Sequence, residues 1–174
     1  MRLIFKKLLI ITSIILSINI VNAQELEAVK SVDLSKYMGK WYEIASYPKG
    51  FQKNCYGTTA EYIMTNHDYI TVINRCKKGS LQGKEITVRG KATVVEGSNN
   101  AKLKVKFFLI FSGKYWIIDL ANDYSYAVVS EPKRKSLWIL SRTPKMNQDT
   151  YSQILSKIKS KGFDLDKLKM TVQE

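Results

Sequence analysis

From residue 86 to residue 94 the chain alternates without a break. Ile86, Val88, Gly90, Ala92 and Val94 are apolar or small, and Thr87, Arg89, Lys91 and Thr93 between them are polar or charged. A strand points successive side chains to opposite faces, so this period of two fits a half-buried β-strand and no helix. Lys102-Leu103-Lys104-Val105-Lys106-Phe107 repeats the pattern. Its lysines share one face, which reads as a solvated outer surface rather than an anion site, because Leu103, Val105 and Phe107 supply the inner face. Six further segments, 40–47, 58–64, 69–76, 115–120, 126–130 and 137–142, bring the expected strands to eight. Turn-length breaks such as Thr65-Asn66-His67-Asp68 and Gly97-Ser98-Asn99-Asn100 separate them, with no helical pattern between. The expectation is an all-β fold: an eight-stranded antiparallel up-and-down β-barrel, closed on itself so that no strand edge stays unpaired. One C-terminal α-helix follows. Asn147 is placed to cap it, Tyr151, Ile154, Leu155 and Ile158 form an apolar stripe, and Gly162 ends it. The stripe is expected to pack on the outside of the barrel.

The first 23 residues read as a cleaved signal peptide rather than as part of the fold. Arg2, Lys6 and Lys7 precede an apolar run from Leu8 to about Val21, and Val21-Asn22-Ala23 places small residues before a cut. The run also approaches membrane-spanning length, but the cleavage pattern follows it at once. The expected domains are therefore a signal segment, 1–23, and one barrel domain, 24–174. Without the leader, 25 basic side chains face 15 acidic ones, a net charge of about +10. Such a charge suits nucleic acid or an anionic membrane surface. Export argues against nucleic acid. The expected location is periplasmic or secreted, peripheral at most to an outer membrane, with no cysteine near the cut to carry a lipid anchor. In an oxidising compartment the two cysteines, Cys55 and Cys76, read as a disulfide. A constant index sum across a hairpin would centre its turn between Thr65 and Asn66 and set the pair across the second and third strands at the open end. The rival reading of Cys55 or Cys76 is a reactive thiol.

Three motifs sharpen the fold. Gly39-Lys40-Trp41-Tyr42-Glu43-Ile44-Ala45 resembles the Gly-x-Trp motif that opens the first strand of lipocalins. Asn122-Asp123-Tyr124 is similar to their second motif, with Asn in place of the usual Thr. Leu137-Trp138-Ile139-Leu140-Ser141-Arg142-Thr143-Pro144 resembles the third, which ends in an arginine. The order and spacing match over about 32–170, most closely to bacterial outer-membrane and apolipoprotein D-like lipocalins. In an up-and-down meander Trp41, Asp123 and Arg142 fall at one barrel end. An arginine over the Trp41 indole would plug that end through a cation–π contact of about 1–2 kcal/mol. Gly39, Trp41, Asp123, Tyr124 and Arg142 are thus expected to be structural.

The resemblance implies binding and transport of a small apolar ligand, a fatty acid or lysophospholipid, inside the barrel. Alternation assigns inward positions to Ala45, Ala60, Tyr62, Met64, Val72, Val88, Gly90 and Ala92. It assigns them also to Val105, Phe107, Tyr115, Ile117, Val129, Trp138 and Leu140, with the parity of the third and sixth strands least fixed. The small residues among them are expected to leave room for an acyl chain. Lys49, Lys53, Arg75, Lys77, Lys78, Lys84, Lys114, Lys133, Arg134 and Lys135 gather at the expected mouth, opposed by Glu85 and Glu131. With the apolar run 107–111 they suggest contact with an anionic membrane. No metal cluster, nucleophile–base pair or phosphate loop is visible, so neither an enzyme nor a cofactor is expected. The single histidine, His67, lies in a turn at the closed end. The alternatives are a scavenger of siderophores or other small molecules, and a protein that binds a host or envelope partner through its loops.

Overall fold

The computed structural model describes residues 25–107 and 111–173. The expected signal segment and the tip of the apolar run lie outside the described residues. Eight strands form the wall: β1 Gly39–Ser46, β2 Cys55–Met64, β3 Ile70–Lys78, β4 Glu85–Val94, β5 Lys102–Phe107, β6 Phe111–Leu120, β7 Tyr126–Ser130 and β8 Leu137–Ser141. Each pairs antiparallel with its neighbours in sequence, and β1 pairs with both β2 and β8, which closes the barrel. A short helix, α1 Leu34–Tyr37, precedes β1, and the helix α2 Gln148–Ser160 follows β8. A two-residue strand, β9 Lys169–Met170, pairs with β1.

Local chemistry accounts for the elements. Asp33 caps α1 by accepting from the Ser35 amide at 2.9 Å, and Asn147 caps α2 by accepting from Asp149 at 2.8 Å. Gly162, at φ +81°, lies just past α2 and donates to the Lys159 carbonyl. Ile154 and Ile158 are buried against Ile44, Ile118, Val128, Leu137 and Ile139 on the outer face of the wall. The helix therefore packs outside the barrel, as its stripe implied. A separate core, built on Trp41, Tyr62, Val72, Leu103, Ile117 and Val129, fills the interior.

Three departures from the expected strands have local causes. β6 starts at Phe111 rather than Tyr115, because Gly113 faces inward opposite Val105 and a glycine leaves no apolar mark in the pattern. The hairpin of β2 and β3 pairs Tyr62 with Val72 and Cys55 with Lys78, so its turn centres near His67 instead of between Thr65 and Asn66. A bulge between Tyr56 and Thr59 produces the one-residue step between those registers. The Cys55–Cys76 disulfide is consequently diagonal, with Cα atoms 5.4 Å apart, and the chain's two cysteines leave no free thiol.

The seam between β1 and β2 has three components. Their pairing covers only Gly39–Tyr42 on β1. Beyond it, β9 pairs with Ala45 and Ser46, Gly57 donates to the Val172 carbonyl, and the Gln173 amide donates to the carbonyls of Glu43 and Thr58. The last residues of the chain therefore complete the wall near the mouth.

Candidate functional site in the barrel interior

The closed end is held by one arginine. The Arg142 guanidinium carbon lies 3.7 Å from the Trp41 ring centroid. Its Nη1 donates to the Lys40 carbonyl at 3.0 Å, Nη2 to Lys36 at 2.6 Å and Nε to Tyr124 at 3.4 Å. The indole Nε1 in turn donates to the Tyr37 carbonyl at 2.9 Å. Partial burial lowers the Arg142 pKa, yet an arginine remains charged throughout. Gly39 enters β1 at φ +92°, a left-handed backbone that glycine adopts without strain. Asp123 lies at the same end but outside this knot. Its carboxylate accepts from the Ser125 amide at 3.0 Å, and hydrogen bonding from the Ser125 side chain, with that amide second, holds its pKa below the ordinary range. Tyr124 connects the turn to α1 instead, with its hydroxyl accepting from the Asp33 amide at 2.8 Å.

Three tyrosines cross the barrel near this end. Tyr37 comes from α1, Tyr62 from β2 and Tyr115 from β6, and β2 and β6 stand on opposite sides of the wall. The Tyr115 hydroxyl lies 2.7 Å from each of the other two hydroxyls. Burial raises the pKa of all three above the ordinary phenol value, so they stay protonated.

The inward positions divide by how much surface they keep. Ala92, Ile117 and Val129 are completely buried, and Tyr62, Val72, Val105 and Leu140 nearly so. A side chain without accessible surface borders no water-sized space in this state. Ala60, Phe107, Tyr115 and Trp138 remain partly exposed. Val88 is 41 % exposed at the open end, and Ile86, which shares its face through the pairing with Cys76, is 40 % exposed. Ile86 follows from the same alternation as Val88 and belongs with it.

Two inward assignments need correction, and one has a different consequence. Ala45 points outward into the core beneath α2. A bulge between Glu43 and Ala45 shifts the pairing with β8, so Glu43 faces inward with Leu140 while Ala45 sits opposite the outward Ile139. Met64 keeps inward parity opposite Ile70, but it ends β2 and is 50 % exposed beyond the closed end. Gly90 is inward and buried without leaving room. A Cβ there would lie 2.6 Å from a ring carbon of Phe107, so that ring already fills the space.

The polar content of the interior was only partly foreseen. Glu43 is 6 % exposed and accepts three hydrogen bonds, from Ser46 Oγ at 2.9 Å, Gln52 Nε2 at 3.0 Å and Thr171 Oγ1 at 2.6 Å. It joins β1, the loop after β1 and the chain's end. A charged residue two positions from Trp41 in an inward series was the signal that could have found it. Burial raises its pKa above the ordinary carboxylate range, and its three hydrogen bonds offset part of that rise. The folded state thus holds this proton more tightly than the unfolded chain. The resulting stability is fully present below the unfolded pKa and is lost as pH rises through the folded one. As pH rises from about 4, wild type should lose stability relative to the non-titrating Glu43→Gln variant. Melting curves across that rise check it; a constant difference would contradict the assignment. Asn74, inward between Ala60 and Val88, has a buried side-chain oxygen with no hydrogen-bond partner in the described structure.

At the mouth the cations are partly engaged. Lys49 donates to the Lys135 carbonyl at 2.7 Å, Lys78 to Lys53 at 2.6 Å, and Arg134 to Lys161 at 2.7 Å. Arg75 does not belong there. It stands on the outer wall opposite Thr59, in a 2.7 Å ion pair with Glu61. Lys104 and Lys106 are exposed, while Leu103 and Val105 between them are buried. His67 is exposed in the turn after β2, stacked on Tyr69. Among the described residues no three His, Cys, Asp or Glu side chains are grouped to hold a metal.

Comparison with known proteins places this architecture. Residues 32–173 match the family model described as a lipocalin-like domain. Temperature-induced lipocalin-1 of Arabidopsis thaliana is 38% identical over 162 residues, covering 86% of this chain and 84% of that protein. Outer membrane lipoprotein Blc of Vibrio cholerae is 37% identical over 169 residues, 97% of this chain and 96% of that one. Among solved structures, insecticyanin from the tobacco hornworm Manduca sexta superposes with a TM-score of 0.70 at 21% identity, covering 87% of this chain and 86% of that chain. At that identity the likeness shows the fold alone.

Proposed function

This chain belongs to the lipocalin family, whose members bind small hydrophobic ligands, and from that premise we propose that it carries an acyl lipid, a fatty acid or lysophospholipid, in its barrel without chemical change. The observation that carries the reading is the exposure of apolar side chains on the inner face of the open end. Ile86 and Val88 remain about 40 % exposed on the inner face of the open end, whereas Trp41 and Ile117 are completely buried. Apolar surface left wet inside a barrel that is sealed at its other end gains free energy when an acyl chain covers it, by roughly 25 cal/mol per Å². The family offers carriage as the use of such a space.

The carrier works, on this reading, outside the cytoplasm. The N-terminal pattern suggests export, and relatives of similar length are named outer membrane lipoproteins. The exposed Lys53, Lys84, Lys133 and Lys135 around the mouth favour peripheral contact with an anionic membrane surface, whereas Lys114 stands on the outer wall opposite Lys104. Lipid extraction and native mass spectrometry of protein isolated from its own compartment test the carriage. A co-purifying acyl lipid is expected, and a coloured or iron-bearing compound would overturn it in favour of a scavenger. Sedimentation with vesicles at low salt tests the contact, which fails if neutral vesicles are bound as well as anionic ones.

A further inference from the structure

The tyrosine crossing holds one more proton than it uses. Three phenols bring three O–H donors to two hydrogen bonds, Tyr62 to Tyr115 and the contact between Tyr37 and Tyr115. None of the three hydroxyls has another partner among the described residues. The position of the unused proton follows from burial. Tyr37 is completely buried and Tyr62 is 3 % exposed, whereas Tyr115 keeps accessible surface. If Tyr115 donated to Tyr37, the Tyr37 proton would be buried with no acceptor, an arrangement folded proteins avoid. If Tyr37 and Tyr62 both donate, the Tyr115 oxygen accepts with its two lone pairs. Its own O–H is then the free one, on the only hydroxyl-bearing ring of the three with open surface. Tyr115 pairs with Leu103, which is completely buried in the interior core, so its ring stands on the inner face of the wall.

We propose that the Tyr115 hydroxyl is a ligand subsite that donates a hydrogen bond to a carbonyl oxygen at the leading end of an otherwise apolar ligand. The proposal rests on the carrier reading and adds an orientation to it: the oxygen-bearing end enters first and lies deepest. Two donors directed onto the Tyr115 oxygen polarise its O–H and strengthen it as a donor. Burial keeps all three phenols neutral, so the site offers a proton and never a negative charge. An acyl chain that entered with its methyl end first would leave this donor facing hydrocarbon, so the site disfavours that orientation.

The test compares a long-chain methyl ketone, isotopically labelled at its carbonyl, with the alkane of equal length. Both are offered to the full-length protein by displacement of a fluorescent apolar probe. The ketone should bind about tenfold more tightly, the equivalent of one satisfied donor. Its carbonyl stretch should move to lower frequency than in hydrocarbon solvent. Tyr115→Phe should abolish both effects. Tyr62→Phe should reduce but not abolish them, because Tyr37 still donates to Tyr115 and the free proton remains while one polarising donor is lost. Equal binding of ketone and alkane with an unshifted stretch overturns the subsite and leaves the carrier reading standing. So does a shift that survives in Tyr115→Phe. If neither probe binds wild-type protein, the carrier reading falls and the subsite with it. Should Tyr115→Phe fail to fold, the infrared measurement on wild-type protein decides.

Discussion

Arg142→Ala is expected to cost about 4 kcal/mol of folding free energy and to lower the melting temperature by about 12 °C. The indole contact supplies about 1–2 kcal/mol of that figure, because the cation is partly shielded from water. The remainder comes from the carbonyls of Lys36, Lys40 and Tyr124, which lose a charged donor together. Those three carbonyls belong to α1, β1 and the turn before β7, so the loss is not confined to one element. Arg142→Lys should recover only part of the stability, since an ammonium cannot span three acceptors from the face of a ring. Ligand stoichiometry should not change, because the knot lies at the sealed end. A normal melting temperature in Arg142→Ala would refute the plug.

Removing the disulfide should have the next largest effect. Cys55→Ser combined with Cys76→Ser releases a loop closed across a separation of 21 residues. The expected loss is about 3 kcal/mol, or about 9 °C in melting temperature. Its location should make the damage uneven. The bridge ties the first residue of β2 to the end of β3 at the mouth, beside a bulge where their pairing is interrupted. Hydrogen exchange should therefore quicken at the mouth ends of β2 and β3 before it does around Trp41. Uniform loss of protection would argue that the bridge acts only on the unfolded chain.

How legible the molecule was depended on the range of the interactions involved. Alternation in residues 86–94 and 102–107 was enough for β4 and β5, because a half-buried strand shows its two faces directly. The pairing of Arg142 with Trp41 was legible through the motif resemblance and the meander's geometry. Ala45 was misplaced because one extra residue in β1 reverses every later side chain, and a bulge has no compositional mark here. The hairpin register was misjudged because a disulfide can join diagonal as well as directly opposed residues, and Cys55 pairs with Lys78 rather than Cys76. Gly90 was read as space because a sequence lists volumes but not which ring moves into a gap. The tyrosine crossing could not be found from strand periodicity. One of its members lies in a four-residue helix, and the other two are far apart in the chain.

The composite seam has a consequence for the order in which the molecule is made. A barrel of neighbouring hairpins could assemble progressively from its beginning, each strand docking on the last as it appears. Here the upper half of β1 must wait for residues 169–173, the last stretch of the described chain. Glu43, near the start, finds one of its three donors in Thr171, a separation of 128 residues. Closing a loop of that length is entropically unfavourable until most of the wall exists. An emerging chain therefore remains an unclosed, curled sheet with an apolar inner face until residues 169–173 have appeared. The hazardous interval is the one before residues 169–173 are available, when the barrel interior is open to any other apolar surface.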